Sequence, residues 1–291
     1  MLTMHQPLSE ILNKTTEFFR QKGLEKPRLE AELLMAHVLK CKRLDLYLNF
    51  NKPLSAETLD LLRPLVKRRG GMEPWQYILG GVDFSKVYIK TDKRALIPRP
   101  ETEYLYELLL AYYKDKTPPQ RIVDLGTGTG AIAIALAKAF PGAEVWAVDQ
   151  SDEALSLAQE NIEHNGLSAN IHLVQSNWCE GLLGTFDLIV SNPPYLSDEE
   201  WAQAEPQVRD FEPKSALMAE DTGLACLKII LLQALPLLAP NGLLALETGL
   251  DQHAILSDLA YANAYQKAES LKDLSKRDRY LWLWKTDPRA Y

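Results

Sequence analysis

The sequence predicts an α/β protein in which a doubly wound, mainly parallel β-sheet follows a small helical domain. Two observations predict the sheet. From residue 121 onward, short apolar strands alternate with amphipathic helices, as in a series of βαβ units. A glycine-rich loop, residues 126–130, joins the first of these strands to its helix. The helical domain is predicted because residues 1–80 show helical periodicity without strand alternation.

The composition is that of a globular protein. The chain of 291 residues is 46% hydrophobic and 24% charged, which is enough for one large core or two ordinary ones. Its net charge of −7 argues against a protein that coats nucleic acid.

The cysteines and histidines indicate the redox compartment of the protein and whether it binds a metal. Cys41, Cys179 and Cys226 are odd in number, scattered and without a C-x-x-C pair, which predicts free thiols in a reducing compartment. The five histidines form no cluster with metal-ligand spacing. The N-terminus lacks a signal pattern, and the most apolar run, residues 229–238, is too short to cross a bilayer. We therefore expect a cytoplasmic protein that binds neither metal nor membrane.

Residues 1–80 predict a small helical bundle. One helix ends at Gly23, a second begins at Pro27, and a third has Ser55 as its N-cap and ends at Gly70. None of these helices carries a polar cluster suited to catalysis. We expect this domain to bind a partner or to support the neighbouring domain.

A connector and a proline-rich loop follow. Apolar residues alternate over residues 82–89, which predicts a β-hairpin inside a linker of residues 81–98. The loop 96–103 (LIPRPETE) then leads into a large domain, residues 99–291, and its acidic residues suit the N-terminus of a helix. We expect Arg99 and Glu101 to line the binding cleft, although an ordinary loop and helix cap would have the same composition.

The elements of the large domain follow from the alternation. Strands are expected at residues 121–125, 144–148, 171–174, 186–190, 243–247, 264–270 and 280–285. Helices are expected at residues 131–140, 151–165, 222–238 and 252–261. A short charged connection joins the last two strands, and since parallel strands cannot use one, the final strand should be antiparallel.

The glycine-rich loop carries the first chemical signal. It consists of Gly126, Thr127, Gly128, Thr129 and Gly130. Its glycines permit a tight turn close to a ligand, and the N–H groups of the next helix point toward that ligand. Asp149 ends the following strand, 19 residues after Gly130, where a carboxylate can accept hydrogen bonds from both ribose hydroxyls. The combination predicts a site for an adenosine-containing cofactor.

Two cofactors fit this pattern. Gly126, Gly128 and Ala131 satisfy G-x-G-x-x-A, so a nicotinamide-dependent oxidoreductase is one interpretation. Asp124, just before the glycines, would repel a pyrophosphate and attract an ammonium group, which favours S-adenosylmethionine. Trp178, after the third strand, would lie beside the adenine or pack in the hydrophobic layer, and the sequence leaves both open.

The second chemical signal is Asn192, Pro193, Pro194 and Tyr195, which follow the strand 186–190. The prolines exclude strand and helix, and Asn192 is held extended by the proline after it. A planar NH₂ group is a poor nucleophile because its lone pair is delocalised. The Asn192 side-chain oxygen and the Pro193 carbonyl are placed to accept its two hydrogens, with Pro194 as a brace and Tyr195 stacked on the acceptor. The pattern indicates methylation of an amino or amide nitrogen.

Taken whole, the chain resembles the PrmC/HemK family, the glutamine N5-methyltransferases of peptide chain release factors. The resemblance runs nearly end to end, through PRLEAELL at 27–34, LIPRPETE at 96–103, DLGTGTG at 124–130, NPPY at 192–195, FEPKSAL at 211–217 and RDR at 277–279. NPPY is shared with DNA adenine N6-methyltransferases, so the proline-arginine-proline loop and the helical domain are the more specific signals. Two places depart from the family pattern: Asn177, where relatives often have Asp, and residues 84–86, where relatives often carry a glycine.

The resemblance implies a Rossmann-like class I S-adenosylmethionine-dependent methyltransferase with a seven-stranded sheet. It implies that the glycine loop, Asp149 and Trp178 contact S-adenosylmethionine, and that Asn192 lies near both methyl donor and acceptor. It also implies that residues 192–195 hold the glutamine of a Gly-Gly-Gln loop. That loop would belong to a class-one release factor docked on the helical domain, so the enzyme would modulate translation termination.

Other functions remain open on the residues alone. A ribosomal-protein glutamine methyltransferase or a DNA adenine N6-methyltransferase would use the same chemistry, although the acidic charge and the lack of a basic insert disfavour DNA. An NAD-dependent oxidoreductase, or an adaptor that only binds S-adenosylmethionine, would share the glycine-rich loop.

Overall fold

The computed structural model describes residues 6–286. The chain divides into two compact units, and the boundary between them falls between Leu79 and Gly80. Each unit has its own hydrophobic core. Within the described residues, no helix combines the length and the apolar character needed to cross a bilayer.

The first unit is helical. Its helices are α1 (Leu8–Gln21), α2 (Pro27–Leu39), α3 (Arg43–Leu48), α4 (Ala56–Gly70) and α5 (Trp75–Leu79). The first, second and fourth match the three predicted helices, and the Ser55 hydroxyl caps α4 by accepting from the Thr58 N–H at 3.2 Å. Helices α3 and α5 were not predicted, because one or two turns are too short to show a periodic pattern.

A buried ion pair joins the helices of the first unit. Arg69 in α4 is only 6% exposed and donates from Nε and Nη2 to the two carboxylate oxygens of Glu30 in α2, at 2.8 and 3.0 Å. The Trp75 indole N–H in α5 donates to the same carboxylate. Because the buried charge has an opposite charge and several donors, it is tolerated in an otherwise apolar core.

The second unit begins with a hairpin. Strands β1 (Gly81–Phe84) and β2 (Val87–Lys90) pair antiparallel, as the alternation predicted. Ser85 in the turn has φ of 55°, a conformation that glycine adopts more readily. The hairpin thus forms here without the glycine expected from related sequences.

A seven-stranded sheet forms the centre of the second unit. Its strands are β3 (Arg121–Leu125), β4 (Glu144–Asp149), β5 (Ile171–Gln175), β6 (Phe186–Ser191), β7 (Leu238–Glu247), β8 (Lys267–Lys272) and β9 (Asp278–Trp284), in the spatial order β5-β4-β3-β6-β7-β9-β8. The last strand in sequence, β9, runs antiparallel to both neighbours, which confirms the prediction from the short connection before it. Strand β7 begins at Leu238, earlier than predicted, because Leu238 already pairs with Phe186 ahead of a shift in register.

The sheet changes its direction of winding at β3. This strand pairs in parallel with β4 on one side and with β6 on the other. Leu125 and Ser191 are register partners at the carboxyl ends of β3 and β6, and the Ser191 hydroxyl donates to the Leu125 carbonyl at 2.7 Å. The loops after these two strands therefore start side by side, at the switch point where α/β sheets bind ligands.

Helices cover both faces of the sheet. They are α6 (Pro100–Tyr113), α7 (Ala131–Ala139), α8 (Asp152–His164), α9 (Asp198–Ala202), α10 (Pro206–Arg209), α11 (Ala225–Ala234) and α12 (His253–Ala262). The apolar faces of α6 and α7 belong to one core cluster, and those of α11 and α12 to a second. Neighbouring residues of β3 alternate between them, Ile122 in the first and Val123 in the second. The short helices α9 and α10 were not predicted.

Asn161 of α8 joins the hairpin to the glycine-rich loop. Its side chain is fully buried; Nδ2 donates to the carbonyls of Lys90 at 3.1 Å and Thr129 at 2.9 Å, and Oδ1 accepts from the Lys90 N–H at 2.8 Å. One amide thus satisfies three backbone groups from two segments that lie apart in sequence.

We expect Asn161→Ala to lower the free energy of unfolding by about 3 kcal/mol, because several buried backbone groups lose their partners. Urea denaturation followed by circular dichroism measures the change. Gln159→Ala on the same helix is the control, since that side chain is exposed and its amide donates to the exposed Glu163. Equal stability of the two variants would contradict the bridging role of Asn161.

Candidate active site

A cavity of about 520 Å³ opens at the carboxyl ends of β3, β4 and β6. Its wall includes the glycine-rich loop, Asp149 at the end of β4, and Asn192 and Pro194 after β6, together with residues 93–99 from the proline-rich loop. The volume lies in the range of cavities that hold nucleotide-sized ligands. The two chemical signals of the sequence thus meet in one place.

The glycine-rich loop turns at three left-handed positions. Gly126, Gly128 and Gly130 have φ of 70°, 56° and 82°, which residues with a Cβ rarely adopt. A Cβ on Gly126 would also lie 3.2 Å from Cζ3 of Trp178, so the glycine admits the tryptophan ring. Residues 126–129 line the cavity, whereas Gly130 lies behind it as the residue that precedes α7.

Asp124 supports the loop from beneath. Its carboxylate is fully buried and accepts from the Thr127 hydroxyl at 2.6 Å and the Ala133 N–H at 3.2 Å. Burial, opposed by these hydrogen bonds, raises the pKa of Asp124 to about 7. Asp124 is not among the cavity-lining residues, so its observed contacts are with the loop, and its attraction of a ligand ammonium stays a prediction.

Asp149 faces the cavity. Its two carboxylate oxygens accept from the Ser151 N–H at 3.0 Å and from the Gly128 N–H at 2.9 Å. Burial raises the pKa of Asp149 in spite of these hydrogen bonds. The bonds fix the carboxylate and couple it to the loop, and each oxygen keeps a lone pair for a ligand hydroxyl.

Trp178 lies between the cavity and the hydrophobic core, and its contact with an adenine stays a prediction. It lines the cavity, and its ring also packs against the core cluster below β3. The residue has φ of 54°, an unusual conformation for a tryptophan. The neighbouring Ser176 and Asn177 line the same side of the cavity.

Asn192 is anchored by two residues that the sequence analysis did not identify. Its Nδ2 donates to the Thr102 hydroxyl at 2.9 Å, and that hydroxyl donates to Glu247 Oε2 at 2.8 Å. Thr102 lies in the first turn of α6 and Glu247 ends β7. The sequence offered one sign of this arrangement: Glu247 is a single acidic residue at the end of an apolar strand. That β7 lies next to β6 is seen only in the structure.

The other three residues of the NPPY segment differ in whether they face the cavity. Pro194 lines the cavity, whereas Pro193 is buried and Tyr195 is not among the lining residues. The Tyr195 hydroxyl donates to Glu247 Oε1 at 3.1 Å, and the Arg279 guanidinium lies 5.7 Å from its ring centroid. In this structure Tyr195 therefore braces the segment from behind, and stacking on the acceptor stays a prediction.

Arg99 and Glu101, both expected in the binding cleft, line two different cavities. Arg99 lines the cavity and donates to Glu212 Oε1 at 2.5 Å, while Glu212 Oε2 accepts from the Ile97 N–H at 3.0 Å. Glu101 lines a smaller cavity of about 70 Å³, and its carbonyl accepts from the Tyr280 hydroxyl at 2.8 Å. Of the two residues, only Arg99 reaches the main cavity.

Comparison with known proteins gives the same division of the chain. The family model of the PrmC N-terminal domain matches residues 10–80, and that of the methyltransferase small domain matches residues 105–208. A release factor glutamine methyltransferase of Rhodopirellula baltica is 38% identical over 281 residues, which cover 94% of this chain and 95% of the relative. The protein of the same name from Chlorobaculum tepidum is 39% identical with the same coverage.

A solved structure shares the fold. The Thermus thermophilus 16S rRNA N2 G1207 methyltransferase, in complex with AdoMet and guanosine, matches with a TM-score of 0.51 and 20% identity. The match covers 70% of this chain and 49% of that structure. At this identity the likeness concerns the fold alone.

We expect Asp149→Ala to raise the Kd for S-adenosylmethionine by about tenfold or more, because the cavity loses a charged acceptor and the Gly128 N–H loses its partner. Isothermal titration calorimetry measures the constant. Asp152→Ala, at an exposed position in the first turn of α8, is the matched control and should bind like the wild type. An unchanged Kd for Asp149→Ala would contradict the assignment of this carboxylate to the cofactor.

Proposed function

The chain belongs to the family of release factor glutamine methyltransferases, and we propose that Asn192 is the residue that holds the reacting amide. The protein is an S-adenosylmethionine-dependent protein glutamine methyltransferase. The proposed target is the side-chain nitrogen, N5, of the glutamine in the Gly-Gly-Gln motif of class-one release factors. The observation that carries the proposal is the position of Asn192, which lines the same cavity as the glycine-rich loop.

The residues around the cavity fit S-adenosylmethionine. The glycines leave room at the loop that a Cβ would fill, and Asp149 offers acceptors suited to a pair of ribose hydroxyls. The Trp178 ring supplies an aromatic surface suited to adenine. When bound, S-adenosylmethionine supplies an electrophilic methyl group on a positively charged sulfur.

The amide nitrogen of glutamine is a poor nucleophile, since its lone pair is delocalised into the carbonyl. In the proposed complex, Asn192 Oδ1 accepts one N–H of the glutamine amide and the Pro193 carbonyl accepts the other. Held in this way, the nitrogen becomes tetrahedral with its lone pair directed away from both acceptors. The same two acceptors stabilise the positive charge that develops on the nitrogen. No residue has to remove a proton beforehand.

We assign release-factor binding to the helical unit. The match of residues 10–80 to the PrmC N-terminal domain supports the assignment. Helix α3 in this unit also exposes Leu44 and Leu48, whose accessible fractions are 72% and 83%. These two leucines, one helical turn apart, offer a partner protein apolar side chains to contact. Because release factors act on ribosomes, the proposed substrate places the enzyme in the cytoplasm.

We expect Asn192→Ala to lower kcat by about a hundredfold or more, in the range seen when a charge-stabilising group is removed from an active site. The Kd for S-adenosylmethionine should change little, because the glycine loop and Asp149 remain. The assay is transfer of a labelled methyl group to a purified release factor, with the label mapped by mass spectrometry. Asn170→Ala is the control, since Asn170 precedes the edge strand β5, at the end of the strand away from the cavity, and should leave kcat unchanged.

The mapping also separates the alternatives. Label on the Gly-Gly-Gln glutamine supports the proposal. Label on a ribosomal protein or on DNA adenine would refute the substrate. Tight binding of NAD without binding of S-adenosylmethionine would refute the chemistry. A fully active Asn192→Ala would refute the role of this residue.

A further inference from the structure

The orientation of the Asn192 amide decides whether it can hold a substrate NH₂ group. This point rests on the proposed function, in which Asn192 Oδ1 accepts a hydrogen from the glutamine amide. A side-chain amide can rotate by half a turn and exchange its oxygen for its NH₂ group. Only one orientation is useful, because Nδ2 has no acceptor to offer and would oppose another NH₂ group.

Two hydrogen bonds connect Asn192 to a buried carboxylate. Asn192 Nδ2 lies 2.9 Å from the Thr102 hydroxyl oxygen, and that oxygen lies 2.8 Å from Glu247 Oε2. Thr102 and Glu247 are 5% and 1% exposed, so water does not compete for these bonds. Within residues 6–286 no hydrogen bond occupies Asn192 Oδ1, which leaves it available to a ligand.

The direction of the two bonds follows from their chemistry. An ionised carboxylate can only accept, so Thr102 must give its single hydroxyl hydrogen to Glu247. The Thr102 oxygen can then only accept, and the atom of Asn192 that faces it must be the donor Nδ2. Asn192 Oδ1 is thereby turned away from Thr102. Glu247 determines this orientation although it does not touch Asn192.

The fold brings the three residues together from distant parts of the chain. Strands β6 and β7 are parallel neighbours with Ser191 opposite Leu246, so Asn192 and Glu247 follow at adjacent strand ends. Thr102 enters from the first turn of α6. The Tyr195 hydroxyl binds the other oxygen of Glu247 and connects the end of the NPPY segment to the same carboxylate.

We propose that Thr102 and Glu247 are positioning residues, which lock the Asn192 amide so that its oxygen, and not its nitrogen, meets the substrate NH₂ group. Neither residue has to touch the reacting atoms. Loss of the lock leaves the two amide orientations in competition, which lowers the fraction of enzyme able to react.

Ionisation of Glu247 adds a second test of the lock. Burial raises the pKa of Glu247 to about 7, although the hydrogen bonds from Thr102 and Tyr195 and, less strongly, the charge of Arg279 oppose the shift. The groups that face it are Thr102 and Glu101 from α6, Tyr195 after β6, and Arg279 and Tyr280 from β9. Once protonated, the carboxyl can donate to Thr102, and Thr102 can then donate to Asn192 Oδ1. The useful orientation of the Asn192 amide is therefore fully fixed above the pKa of Glu247. It becomes less populated as the pH falls through that pKa.

The first experiment compares Thr102→Val with Thr102→Ser. Valine keeps the shape and removes the hydroxyl, whereas serine keeps the hydroxyl. We expect kcat to fall about tenfold for valine, which corresponds to the net effect of one lost hydrogen bond, and to be largely restored by serine. The Kd for S-adenosylmethionine should stay close to that of the wild type in both variants. The melting temperature should fall by a few degrees in Thr102→Val, because Glu247 and Asn192 each lose a hydrogen-bond partner, and should be restored in Thr102→Ser. Equal kcat for Thr102→Val and wild type, or an equal loss in both variants, would overturn the proposal.

The second experiment measures kcat against pH at saturating S-adenosylmethionine, with wild type and Glu247→Gln. Glutamine can accept from Thr102 through Oε1 and donate to Tyr195 through Nε2, and it does not ionise. We expect wild-type kcat to decline below about pH 7 and the decline to become smaller in Glu247→Gln, where Asp124, whose pKa is also about 7, still ionises. A decline of the same size and midpoint in Glu247→Gln and wild type would overturn the proposal. Failure of the wild type to methylate a release factor would instead refute the proposed function, so the two outcomes remain distinct.

Discussion

Strands β3 and β6 end next to each other because they pair in parallel, with Leu125 opposite Ser191. The Ser191 hydroxyl donates to the Leu125 carbonyl, so a side-chain hydrogen bond adds to the backbone pairing of the two strands at this junction. The glycine-rich loop leaves one strand and the NPPY segment leaves the other. A shift of this pairing by one residue would turn every side chain of β6 to the opposite face and separate the two halves of the site. The remaining features of the cavity depend on this junction.

Buried carboxylates hold the loops that leave the junction. Asp124 supports the glycine-rich loop through the Thr127 hydroxyl. Glu247 accepts directly from the Tyr195 hydroxyl and reaches Asn192 through the Thr102 hydroxyl. Both are fully or almost fully buried, and burial raises the pKa of each to about 7. A buried carboxylate is costly unless it is hydrogen-bonded, and one with well-placed donors fixes their direction. The cost of burial is thus offset by bonds that orient the groups around the cavity.

Patterns that span a few residues were predicted well. The Ser55 cap, the hairpin before residue 90 and the antiparallel last strand follow from local rules and are confirmed. Helices α3, α5, α9 and α10 were missed because they are too short to show periodicity. The start of β7 was placed too late because Pro240, Asn241 and Gly242 interrupt the apolar run inside the strand, and the pairing with β6 decides where the strand begins.

The sequence by itself determined the order of strands and helices along the chain, the glycine-rich loop and the NPPY segment. Each of these depends on the backbone preferences of neighbouring residues. Only the tertiary structure decided which side chains meet. It placed Asp124 beneath the loop, left Tyr195 outside the cavity lining, and separated Glu101 from the main cavity. It also brought Thr102 and Glu247 to Asn192, although 145 residues separate the first two in sequence. Such contacts depend on which strands pair and where a helix packs, and no local pattern carries that information.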